Sequence, residues 1–83
     1  MKKIDRVQTG IRIERRLLKV LKGTAEYVDV SLGDLIEAIV LHAFEVESPF
    51  SKKTRHRIDQ LRDVYCLDLT AKDSHSLTED ASG

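Results

Sequence analysis

The chain has one cysteine, one proline and no tryptophan, its net formal charge is zero, and no apolar run in it approaches the length of a membrane span. A lone cysteine, Cys66, excludes an internal disulfide, and no Cys/His spacing suits a zinc site. A core built from only 83 residues usually needs a disulfide, a metal or a second chain, so the expected staple is a partner chain. Met1-Lys2-Lys3-Ile4-Asp5 lacks the apolar segment of a secretory signal, and the expectation is an intracellular, cytoplasmic protein without a membrane partner.

The absence of net charge conceals segregation. Residues 1–22 carry a balance of +6, residues 23–50 have no Lys or Arg and a balance of −6, residues 51–62 return to +4, and residues 63–83 end at −4. A positive N-terminal surface attracts phosphate even on a neutral molecule.

Along the chain, residues 1–5 read as a flexible basic arm. In Arg6-Val7-Gln8-Thr9-Gly10-Ile11-Arg12-Ile13, period two puts Val7, Thr9, Ile11 and Ile13 on one face and Arg6, Gln8, Gly10 and Arg12 on the other. The first set is largely apolar and β-branched, which predicts a half-buried strand. From Glu14 the period changes: Leu17, Leu18, Val20, Leu21, Ala25 and Val28 recur at helical spacing, predicting a helix to Tyr27 or Val28 with Gly23 inside it. Asp29-Val30-Ser31 breaks the pattern, Ser31 is a good N-cap, and a second helix is expected from Leu32 to Val46. Its stripe of Leu35, Ile36, Ile39, Val40, Ala43 and Phe44 is wider than one companion helix covers, which implies a dimer core. His42 is expected at the stripe's margin, hydrogen-bonded or exposed.

Ser48-Pro49 ends that helix. A third is expected from Ser51 or Lys52 to Cys66 or Leu69, with Ile58, Leu61, Val64, Tyr65 and Leu69 on one side. Lys52, Lys53, Arg55, His56 and Arg57 crowd its start, against the helix dipole, and read as a solvated charged face or a phosphate contact. Residues 70–83 are polar and expected to be disordered.

An enzyme is not indicated. His42, His56 and His75 lie on three segments, Cys66 has no evident base, and the four glycines have no phosphate-cradling spacing. No catalytic residue, metal ligand or cofactor is assigned.

The order strand, helix, capped turn, helix over residues 6–47 resembles the ribbon-helix-helix (Arc/MetJ/CopG-type) family of DNA-binding proteins. The likeness rests on the alternation from Val7 to Ile13, on Leu17 and Leu21, on Val30-Ser31, and on the Leu35-Ile36-Ile39-Val40 stripe. It implies a mainly α fold with one short strand, an intertwined homodimer whose two strands pair antiparallel, and a dimer core of Val7, Ile11, Ile13, Leu17, Leu21, Leu35, Ile36, Ile39 and Val40. The third helix, within residues 48–69, is a C-terminal extension.

It further implies a sequence-specific binder of double-stranded DNA, a transcriptional repressor that reads the major groove with Gln8, Gly10 and Arg12 and binds in pairs or multiples of the dimer. Arg bonds guanine and Gln bonds adenine in bidentate fashion. Gly10 brings no side chain and departs from the family's usual polar residue, as Thr9 departs from a more apolar one. The amides of Ser31, Leu32 and Gly33 would hold a phosphate, joined by Lys2, Lys3 and Arg6. The alternative is an antitoxin-like or plasmid-maintenance protein whose C-terminal part binds a protein partner.

Overall fold

The computed structural model describes residues 2–45, 49–75 and 77–79. It is mainly helical: β1 (Lys2–Ile4), α1 (Arg15–Val28), α2 (Leu32–Glu45), α3 (Lys52–Val64), a 3-10 turn (Ala71–His75) and β2 (Leu77–Glu79). The two short strands pair in parallel, with Lys2 beside Leu77 and Ile4 beside Glu79.

α1 begins where the Glu14 carboxylate accepts from the backbone N–H of Arg16 (2.9 Å) and Leu17 (3.3 Å). A carboxylate there satisfies orphan donors and meets the positive end of the helix dipole. The helix ends at Asp29, which adopts a left-handed conformation (φ 61°). The Val30 N–H then reaches the Ala25 carbonyl and the Asp29 N–H the Glu26 carbonyl, the bonding pattern of a Schellman cap with aspartate at the position glycine usually fills. α3 closes in the same way: Cys66 has φ 54°, Cys66 N–H donates to the Asp63 carbonyl, and Leu67 N–H to the Arg62 carbonyl. That cap turns the chain back before Leu69, so α3 stops at Val64 and does not continue to residue 66 or 69.

Gly23 lies mid-helix on the side of α1 away from Leu17, Leu21 and Ala25, and a Cβ there meets nothing within 4 Å. Gly23→Ala is expected to raise the unfolding free energy by about 1 kcal/mol in urea titration. A loss instead would mean that a second chain packs against this position.

α2 is the central element. Ser31 caps it, its Oγ accepting from the Asp34 N–H at 3.1 Å. It is apolar around much of its circumference, packing on α1 along one side and on the 3-10 turn along another. His42 is exposed at the margin, its Nδ1–H donating to the Ala38 carbonyl at 2.8 Å. Where α2 ends, Arg55 of α3 donates to the Phe44 and Glu45 carbonyls (3.5 and 3.3 Å), placing a cation at the negative end of the helix. Arg62 pairs with Glu45 at 3.0 Å and also donates to the Leu69 carbonyl, while Glu45 accepts the Ala71 N–H at 2.8 Å. These few bonds tie α2, α3 and the 3-10 turn together.

Hydrogen bonding from Ala71, and then the Arg62 guanidinium, holds the Glu45 carboxyl below its ordinary value of 4.5. A depressed carboxyl contributes stability that is present above its unfolded value and lost as pH falls through the folded one. Urea midpoints should therefore drop as pH is lowered below about 4.5, and Glu45→Gln should flatten that part of the fall.

Three segments differ from the sequence reading. Residues 5–14 form no regular element, and the strand expected at 6–13 is absent there, because an extended segment needs a neighbouring ladder and the single chain provides none. Residues 2–4, read as part of a free arm, are the strand paired with β2. The polar segment after residue 69, read as disordered, carries the 3-10 turn and β2. Its local bonds come from Asp73, whose Oδ2 accepts from the Thr70 N–H and Oγ1 while its own N–H donates to the Thr70 carbonyl. Val46, the expected end of α2, lies outside the described residues.

Candidate nucleic-acid interface

Segment 5–14, which has no regular secondary structure, joins α1 at the Glu14 cap and is tied to α2 through Arg6. Arg6 reaches α2, where its Nη2 lies 2.5 Å from Asp34 Oδ1 and 2.7 Å from Glu37 Oε1, and its Nε donates to Glu37 Oε2 at 3.0 Å. This fork pairs a planar guanidinium with two carboxylates one turn apart on α2. Arg6, read from sequence as a phosphate contact, is thus committed to an intramolecular clamp. Sequence spacing held only half of the signal: Asp34 and Glu37 share a helix face, but nothing local says that a residue near thirty positions upstream reaches them.

Beyond Arg6 the segment is open. Gln8, Thr9, Gly10 and Arg12 are all exposed, and a Cβ built at Gly10 meets nothing within 4 Å. No positive φ requires glycine at position 10. The residues read as core-facing are exposed as well: Val7 is 78% and Ile11 73% accessible, Ile13 lies at the edge of exposure, and Leu17, Val20, Ile39 and Val40 follow on α1 and α2. Leu21, Leu35 and Ile36 are half-buried. Among the described residues only Ala25 and Leu41 are buried.

At the start of α2, Leu32 is half-buried and Gly33 exposed, and their N–H groups precede the first intrahelical bond, Leu35 N–H to the Ser31 carbonyl. Asp34, the acid nearest these amides, is turned into the Arg6 clamp, which offsets its charge. Lys3 on β1 is exposed; the side chain of Lys2 lies outside what is described.

Apolar grooves flank α2. One of about 230 Å³ is lined by Ile36, Val40, Leu41, Phe44, Leu67 and Leu69, and a second of about 270 Å³ by Phe44, Ile58, Leu61, Tyr65 and Leu67. Among the described residues no three His, Cys, Asp or Glu side chains gather into a metal-binding group, and no helix is long and apolar enough to cross a membrane. No family model, curated protein or solved structure matches this chain.

Proposed function

We propose that the chain is one half of a ribbon-helix-helix homodimer that binds operator DNA as a repressor, with segments 6–13 of two copies paired antiparallel and laid in the major groove. The observation that carries this reading is the run of exposed aliphatic side chains Val7, Ile11, Leu17, Val20, Ile39 and Val40, with only Ala25 and Leu41 buried among the described residues. The chain exposes 7090 Å². A compact monomer of 9.4 kDa exposes about 5,000 Å², and the excess of about 2,000 Å² is of the size that obligate dimers bury.

In the paired ribbon, Val7, Ile11 and Ile13 of both copies turn down onto the helices, and Gln8 and Arg12 turn outward to the base edges. Gly10 leaves the centre of the ribbon low, without a reading side chain. The amides of Ser31, Leu32 and Gly33 hold a backbone phosphate beside the neutralised Asp34, and Lys2 and Lys3 add to the phosphate contacts. Arg6 leaves that set and instead fixes the ribbon to α2.

The experiment is selection from random double-stranded oligonucleotides at moderate salt, with the oligomeric state followed by sedimentation. The expected outcome is a recovered consensus bound by a dimer or a multiple of it. Recovery of no preferred sequence would remove the base-reading role, and a folded monomer at micromolar concentration would remove the ribbon.

Exposed Val64 and Tyr65 beside the groove at Phe44 and Leu67 favour a second reading, an antitoxin-like protein whose C-terminal part binds another protein. Against it, the 3-10 turn has a tie within the single chain, the Ala71 N–H donating to the Glu45 carboxylate at 2.8 Å.

A further inference from the structure

The basic residues of α3 divide into two groups. Arg55 and Arg62 face inward and are consumed by the carbonyls of α2, the Leu69 carbonyl and Glu45. Lys53, His56, Arg57 and Gln60 recur at spacings of three and four, so they share the outer face, where with Thr54 they line an open cleft of about 400 Å³. All five are exposed. Among the described residues the side chains of Lys53, His56, Arg57 and Gln60 have no hydrogen-bond or ion-pair partner, and the helix's own acids, Asp59 and Asp63, both follow Arg57.

This arrangement opposes the stability of the helix. Lys53 and Arg57 are like charges one turn apart, and cations in the first turns oppose the helix dipole. An anion laid along the face reverses both effects.

We propose that the outer face of α3, centred on Lys53 and Arg57, is a second nucleic-acid contact, which grips the sugar-phosphate backbone and reads no bases. Lys53 and Arg57 stand about 6 Å apart along the axis at 1.5 Å per residue, which suits neighbouring phosphates of one strand. Thr54 and Gln60 supply neutral groups of the kind that bond phosphate oxygens. The face offers no aromatic or aliphatic group between its cations to enter a lipid interface, which separates it from a membrane-binding helix. The inference takes its ligand class from the DNA-binding reading, but it is tested apart from base recognition.

The test measures binding of the full chain to its selected duplex and to a random duplex of equal length across a salt series. The proteins are wild type, Lys53→Gln, Arg57→Gln, the double variant, and Lys72→Gln, a control on the 3-10 turn matched in charge to each single variant; circular dichroism verifies the helices. The double variant should weaken both duplexes by the same factor and make the logarithmic salt dependence shallower by about 1 for each phosphate no longer neutralised, about 2 per protomer. Lys72→Gln should leave the slope unchanged. An unchanged slope in the double variant overturns the proposal, as does a control that shifts it as much as either single variant does, through net charge alone. A wild type that prefers no sequence but whose slope on random duplex still depends on Lys53 and Arg57 removes base reading and supports the α3 contact. Failure to bind any duplex at low salt overturns both.

Discussion

Arg12→Ala should sharply relax discrimination between the selected operator and random DNA, leaving the part that Gln8 supplies, and should leave the dimer intact. A bidentate arginine–guanine contact contributes about 1–3 kcal/mol of base discrimination, and a two-fold symmetric dimer presents the side chain twice. The variant therefore loses specificity on the order of 30-fold to 10⁴-fold, since each 1.4 kcal/mol is about tenfold. The loss should appear at one base pair in each half-site, with residual binding to random duplex and its salt dependence largely retained. A uniform weakening on every sequence would instead make Arg12 a phosphate contact. Among the described residues no bond ties the exposed Arg12 side chain to the rest of the fold, so the substitution should disturb little within one chain. Gly10→Asn gives the complementary result. Position 10 has open space, so the added amide should cost little stability and either extend the recognised sequence or lift the ribbon from the groove.

Ile11→Asn should dissociate the dimer. The side chain is 73% accessible on the single chain and so contributes little to the fold of one copy. In the proposed paired ribbon it would be buried twice, at about 1.5–3 kcal/mol for each copy. Sedimentation equilibrium should show the dimer Kd raised about 100-fold to 10⁴-fold, and DNA binding should fall with it. With only Ala25 and Leu41 buried among the described residues, the separated chains should also lose much of their cooperative unfolding. An unchanged dimer would mean that Val7, Ile11 and Ile13 do not line a shared core. Arg12→Ala and Ile11→Asn thus address opposite faces of the same eight residues, and only the alternation of the segment makes their effects separable.

Order in the C-terminal part of the chain comes from scattered polar groups. α3 and the segment after it hold together through Arg55, Arg62, Asp73 and the Ala71 amide, four groups spread over some twenty residues with no apolar periodicity to announce them. Side-chain bonds to backbone groups of this kind depend on where a chain turns back. The turn itself depends on Cys66 adopting a left-handed conformation that no composition rule assigns to cysteine.

What the amino-acid order determines by itself is the local structure that repeats with a period. Three helices follow from the three-and-four recurrence of Leu17, Leu18, Leu21, Ala25 on α1, of Leu35, Ile36, Ile39, Val40, Phe44 on α2, and of Ile58 and Leu61 on α3. Ser31 and Ser51 mark two of their starts, where the caps lie. The alternation over residues 6–13 likewise sorts the candidate readers Gln8 and Arg12 from the aliphatic side chains. What only tertiary structure decides is where non-periodic polar groups end up. Arg6 is an exposed cation in the sequence and a clamp on Asp34 and Glu37 in the fold, Glu14 becomes a helix cap, and Lys2–Ile4 finds a strand more than seventy residues away. The physical reason is range. Helical periodicity records interactions three or four residues apart, whereas an ion pair or a strand ladder joins groups whose separation along the chain carries no signal.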